Sequence, residues 1–86
     1  MGDLYNCRVC GWRSPTPPWG ESGKEPSFDI CPCCECEWGY EDSGVESTKK
    51  YRAAWIASGA NWVHDDTPHD GLTTEERLCN VPPGFE

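Results

Sequence analysis

Cys7-x-x-Cys10 and, twenty residues further on, Cys31-Pro32-x-Cys34 are two thiol pairs at the spacing of a metal-binding turn. Each C-x-x-C turn curls so that backbone N–H groups point at its own sulfurs and partly neutralise the thiolates. Two such turns place four sulfurs at the corners of a tetrahedron. Zinc accepts that set at Zn–S distances of about 2.3 Å and without redox chemistry. Binding of this kind supplies on the order of 10–16 kcal/mol of folding free energy. Iron accepts the same four thiolates, so zinc is the expected ion and iron the alternative. The chain has seven cysteines, an odd number that argues against a closed disulfide framework.

A second pair of identical spacing, Cys33-x-x-Cys36, overlaps Cys31 and Cys34. Pro32 favours the 31/34 pair, because a proline inside the turn fixes φ near the value the turn needs and leaves the later amides free to donate. Against that choice stands Glu35, which follows the second cysteine where the first turn has Gly11; a left-handed φ at glutamate is strained. Cys7, Cys10, Cys31 and Cys34 are therefore the expected ligands. Cys33 and Cys36 are expected to be structural neighbours, with redox activity or exchange into the site as the alternatives. Cys79 reads as a small core residue. His64 and His69, flanked by Asp65, Asp66 and Asp70, read as a solvated polar loop, since no regular scaffold fixes them as ligands. Glu35, Glu37, Glu41 and Asp42 read as surface acids, there being no nucleophile beside them to form a catalytic set.

The elements that must position the sulfurs are few. A chain of 86 residues, 36% of them hydrophobic, allows one domain with a modest core, worth about 3–5 kcal/mol or less without a staple. Residues 5–42 form the expected metal-binding part: short extended pieces around "YNCRVCGW", an irregular loop in "SPTPPWGESGKEPS", a short strand at Phe28, Asp29 and Ile30, and another at Trp38, Gly39 and Tyr40. Residues 43–62 hold a helix, because "VESTKKYRAAWIAS" lacks Gly and Pro and repeats Tyr51, Ala54, Trp55 and Ser58 on one face. Ser43 with Glu46, or else Ser47, is the expected cap at its start, and Gly59 the left-handed residue at its end. Residues 63–86 add a loop and, from the box Thr73 to Glu76, a helix of one or two turns. Trp55 and Trp62 are expected to pack the long helix on the metal-binding part. Trp19, between Pro17, Pro18 and Gly20, is expected to protrude as an anchor for a partner.

Fifteen acids against seven Lys and Arg give a formal charge of −8, and four thiolates around a divalent cation add about −2. That field repels phosphate backbones, so nucleic acid is not an expected partner. Arg8 and Arg13 are the only material for a basic patch beside the first cysteine pair. No apolar run approaches a membrane span. The amino-terminal residues lack the basic and apolar regions of a signal peptide, so reduced thiols in the cytoplasm are expected.

The stretches "YNCRVCGW" and "ICPCC" resemble the two knuckles of rubredoxin and of the wider rubredoxin-like zinc ribbons. The run "FDICPCCECEWGYED", followed by "YRAAWIASGANW", is more closely similar to a group of small bacterial cysteine-rich CPCC proteins. The resemblance spans residues 5–62 and carries the ligand role to Cys7, Cys10, Cys31 and Cys34; it departs from the group at Glu35, where Gly is usual. It implies a small α+β fold, a zinc ribbon of short antiparallel strands with a helix packed on it, and a non-enzymatic zinc protein. It also implies a protein-binding role of the immunity or antitoxin kind, for which an acidic surface would complement a basic toxin. The alternatives are rubredoxin-type electron transfer by iron and thiol oxidoreduction through Cys33 and Cys36.

Overall fold

The computed structural model describes residues 3–62 and 71–85, so the loop carrying His64 and His69 lies outside the described residues. Each C-x-x-C turn is closed by the same set of backbone bonds. In the first, Cys7 N donates to Trp12 O (2.8 Å), Gly11 N to Cys7 O (3.0 Å) and Ser14 N to Tyr5 O (2.7 Å). In the second, Cys31 N donates to Cys36 O (2.9 Å), Glu35 N to Cys31 O (2.9 Å) and Trp38 N to Asp29 O (3.0 Å). The turns are thus internal duplicates, with Val9 matched by Cys33, Gly11 by Glu35, and Trp12 by Cys36.

The expected strands do not form. Among the described residues, β-pairing is limited to two isolated antiparallel bridges, Asn6 with Arg13 and Ile30 with Glu37. Phe28 has a φ of +61°, which turns the chain out of the extended region just before the second bridge. Past that bridge, Gly39 at φ +105° and the bond from Tyr40 N to Glu37 O (3.0 Å) curl residues 38–40 into a turn. The loop of residues 14–27 is irregular, as its prolines require.

Helix α1 runs Val45–Ala57. Its N-cap is Gly44, one residue past the expected Ser43, because the Ser43 hydroxyl is spent donating to Tyr40 O (3.2 Å) in the preceding turn. Ser47 Oγ instead accepts from the Gly44 amide at 3.3 Å. At the other end Ala60 N donates to Trp55 O (2.9 Å) and Gly59 N to Ile56 O (3.0 Å). With Gly59 at φ +114°, these bonds make a Schellman stop. The buried stripe is Thr48 and Trp55, flanked by half-buried Tyr51 and Arg52; Ala54 and Ser58, expected on that face, are exposed.

So polar a helix docks by hydrogen bonds as much as by apolar area. Arg52 Nε donates to Val9 O (2.6 Å), while its Nη2 donates to Arg8 O (2.7 Å) and to Phe85 O. Tyr51 Oη donates to Cys34 O at 3.0 Å. One residue pair on α1 thereby holds the backbones of both cysteine turns.

Helix α2, Thr74–Leu78, has the expected box: Thr73 Oγ1 accepts from Glu76 N (3.1 Å), and Glu76 Oε1 from Thr73 N (2.9 Å). Cys79 is exposed rather than in the core. It stands at the C-cap of this short helix, and the inward directions around it belong to Arg77 and Val81, which are buried. The core itself is built of sulfur and indole: Cys7, Cys10, Cys31, Cys33, Cys34 and Cys36 with Val9, Trp38 and Trp55, against which Trp12, Tyr51, Trp62 and Leu78 pack.

Candidate metal centre

The fold brings the Sγ atoms of Cys7, Cys10, Cys31 and Cys34 within 4.8 Å of one another, all four buried. Cys7 Sγ is 3.7 Å from Cys34 Sγ, and Cys10 Sγ is 3.7 Å from Cys31 Sγ. A tetrahedron with metal–sulfur distances of about 2.3 Å has edges of about 3.8 Å. Such a cluster could hold a metal ion. Four charged sulfurs at these separations repel one another strongly in a buried site, and a cation among them removes that repulsion. Burial works to raise the Cys7 thiol, but hydrogen bonds from Cys10, Cys31, Cys34 and Trp38 outweigh it and hold Cys7 well below the usual thiol range. Burial pushes Cys10, Cys31 and Cys34 up.

Two donors to Cys7 Sγ come from outside the sulfur set: Val9 N at 3.4 Å, supplied by the turn itself, and the Trp38 indole Nε1 at 3.3 Å. Trp38 carried no such signal in the sequence, where it read only as part of a short strand leaving the second turn. Its ring also stacks on Trp12, with centroids 6.3 Å apart and planes 12° from parallel. Trp38→Phe keeps the stack and removes the donor. The expected result is a metal affinity about tenfold lower, with little change in the melt of the loaded protein, measured by competition with a chromophoric chelator.

Cys33 and Cys36 are fully buried, one on the turn position that Val9 fills in the first turn and the other on that of Trp12. Glu35 adopts φ +66° and so makes the turn that its duplicate makes with glycine. A left-handed φ at a non-glycine residue costs about 1–2 kcal/mol, less the entropy that glycine loses on folding. Glu35→Gly is therefore expected to raise stability by about 0.5–1 kcal/mol, read from a thermal melt, with the metal content unchanged.

Asp42 is wholly buried and ties the proline-rich loop to the second turn. Its Oδ2 accepts from Trp19 Nε1 (2.9 Å) and its Oδ1 from Gly39 N (2.7 Å). Burial raises its pKa, against the two hydrogen bonds that favour the carboxylate. Trp19 is accordingly no free anchor: the Arg8 guanidinium lies 3.9 Å from its ring centroid and 4.3 Å from that of Phe85. Arg8 Nη1 also donates to Asp42 O (3.1 Å). Arg13 pairs with Asp3 at 3.3 Å and lies over Tyr5. Neither arginine is left to form a basic patch. Among the described residues, no helix is long and apolar enough to cross a membrane.

Two curated proteins of Bacillus subtilis (strain 168) are similar to the chain. The uncharacterized protein YozI is 31% identical over 87 aligned residues, covering 81% of the chain and 72% of YozI. The uncharacterized protein YoaQ is 32% identical over 82, covering 77% and 70%. No family model and no solved structure matches the chain.

Proposed function

The chain belongs to the family of Bacillus subtilis YozI and YoaQ, and from that premise and its sulfur cluster we propose that it is a zinc-stabilised, non-catalytic protein-binding module. The observation that carries the zinc reading is the pair of 3.7 Å sulfur–sulfur separations inside a fully buried set of four. That spacing is the edge of a closed tetrahedral site, with every position taken by protein sulfur and none left for a substrate. A closed site supports a structural ion rather than a hydrolytic one.

The rest of the molecule supports binding rather than catalysis. Cys33 and Cys36 are sealed in the core, which leaves a disulfide substrate no approach to either sulfur. Among the described residues, the acids beside the cluster accept from backbone amides and from the Trp19 indole rather than pairing with a nucleophile or base. The charge of −8 favours a basic protein over nucleic acid or an anionic membrane. A basic toxin, the partner implied by the resemblance to the CPCC proteins, is one such ligand, and the cytoplasm is where these thiols would stay reduced.

Elemental analysis with native mass spectrometry tests the ion. One zinc per colourless chain is expected. A red preparation that bleaches on reduction would carry iron and turn the reading to electron transfer.

A further inference from the structure

The two cysteine turns are duplicates in backbone but not in surroundings. The first is covered by the chain's own later segments: the Arg77 carbonyl sits over Gly11, Arg52 reaches Val9 O and Arg8 O, and the Phe85 ring lies on Arg8. Asn6, at the start of that turn, is 6% exposed. On the second turn the matching position is Ile30, which is 50% exposed, and the position matching buried Gly11 is exposed Glu35. Beside them stand Phe28, 60% exposed, and Tyr40, 72% exposed. The Phe28 ring rests on Gly39, where an added Cβ would lie 2.8 Å from its Cε1. Packed there on one side, Phe28 keeps a left-handed backbone at φ +61°, a conformation a bulky residue adopts only when the surroundings impose it, and leaves the rest of its ring to solvent.

We propose that this face, Phe28, Ile30 and Tyr40 with Asp29, Glu35 and Glu37 around them, docks a basic partner protein that sets an apolar side chain among the exposed rings. The proposal rests on the binding-module reading above and says where that module binds and what it takes. Charge chooses the occupant. Between Lys24 and Lys49 the sequence has no Lys or Arg, while Asp29, Glu35, Glu37 and Glu41, none of them buried, all fall there. A second copy would bring −8 against −8, and phosphate-rich surfaces meet the same repulsion. Exposed aromatic residues ringed by one sign of charge are the pattern of an anchor with a steering rim.

The test pans a phage library of random dodecapeptides on the whole zinc-loaded chain. Selected peptides should pair Arg or Lys with leucine or an aromatic residue, and should bind more weakly as salt rises. Their affinity should fall at least about tenfold, a single well-buried contact's worth, in the double variant Phe28→Asn with Tyr40→Ser. Asparagine is chosen because it tolerates φ above zero. Asp29→Lys with Glu35→Lys should weaken binding and flatten its salt dependence. Ile56→Ser with Leu72→Ser, two exposed apolar residues elsewhere, should leave it unchanged. No selection, peptides without basic residues, or equal binding by the Phe28/Tyr40 variant would overturn the docking face while zinc content and melt stay intact. A wild-type chain that takes up no zinc would overturn the module reading itself.

Discussion

Replacing Cys31 with serine is expected to abolish the cooperative thermal transition and the helical circular dichroism signal together, and chelation of the wild-type chain to do the same. The expected loss is on the order of 10 kcal/mol, against the few that an unaided core of this size provides. The reason lies in what the core is made of. Among the described residues, nine buried side chains form the core cluster: six are cysteines, and Val9, Trp38 and Trp55 are ordinary apolar residues. A serine at position 31 leaves three thiols and a hydroxyl buried with no cation to satisfy them, and burial of such groups opposes folding. Cys33→Val is the control. Cys33 occupies the site that Val9 fills in the duplicate turn, so valine there, larger by about one methyl group, should cost no more than about 1–3 kcal/mol and leave the ion in place.

Gly11→Ala is expected to destabilise the loaded protein by about 3 kcal/mol or more, among the largest effects of a single methyl group. Gly11 sits at φ +86°, and a Cβ built on it would lie 1.9 Å from the Arg77 carbonyl oxygen and 2.9 Å from its carbon. Those atoms are backbone and belong to α2, so relief requires the helix to lift off the first turn. With it would go the stack of Arg77 over Trp62, whose centroid is 4.8 Å from the guanidinium carbon. Chemical denaturation of the zinc-loaded variant measures the cost. The contrast with Glu35 shows that φ alone is tolerated: the same left-handed turn residue is a glutamate where solvent lies outside and a glycine where a helix does.

The features legible in the sequence are those written in local spacing. Two C-x-x-C units fix their own turns, and those turns bring together the sulfurs of Cys7, Cys10, Cys31 and Cys34. The run without Gly or Pro gave α1, and the Thr73 to Glu76 box gave α2. What spacing does not carry is competition between distant groups. Trp19 reads as protruding from a proline-rich loop, yet Asp42, twenty-three positions away, accepts its indole proton at 2.9 Å. Cys79 reads as core because cysteine is usually buried, but Arg77 and Val81 take the inward directions. The expected strands at Phe28 and Trp38 yielded to positive φ values at Phe28 and Gly39, which follow from packing of the Phe28 ring and Pro26 on Gly39. Arg52 had no signature at all, since a guanidinium that clamps two carbonyls from forty residues away leaves no periodic trace.

X-ray absorption at the metal edge of the purified, reduced protein reads the ion and its neighbours in one spectrum. One zinc per chain is expected, with four sulfur neighbours at about 2.3 Å and no nitrogen or oxygen bonded to it, a pattern lost in Cys31→Ser and kept in Cys33→Val. A folded chain without metal, or an ion held by fewer than four sulfurs or by imidazole, would contradict the four-sulfur zinc site.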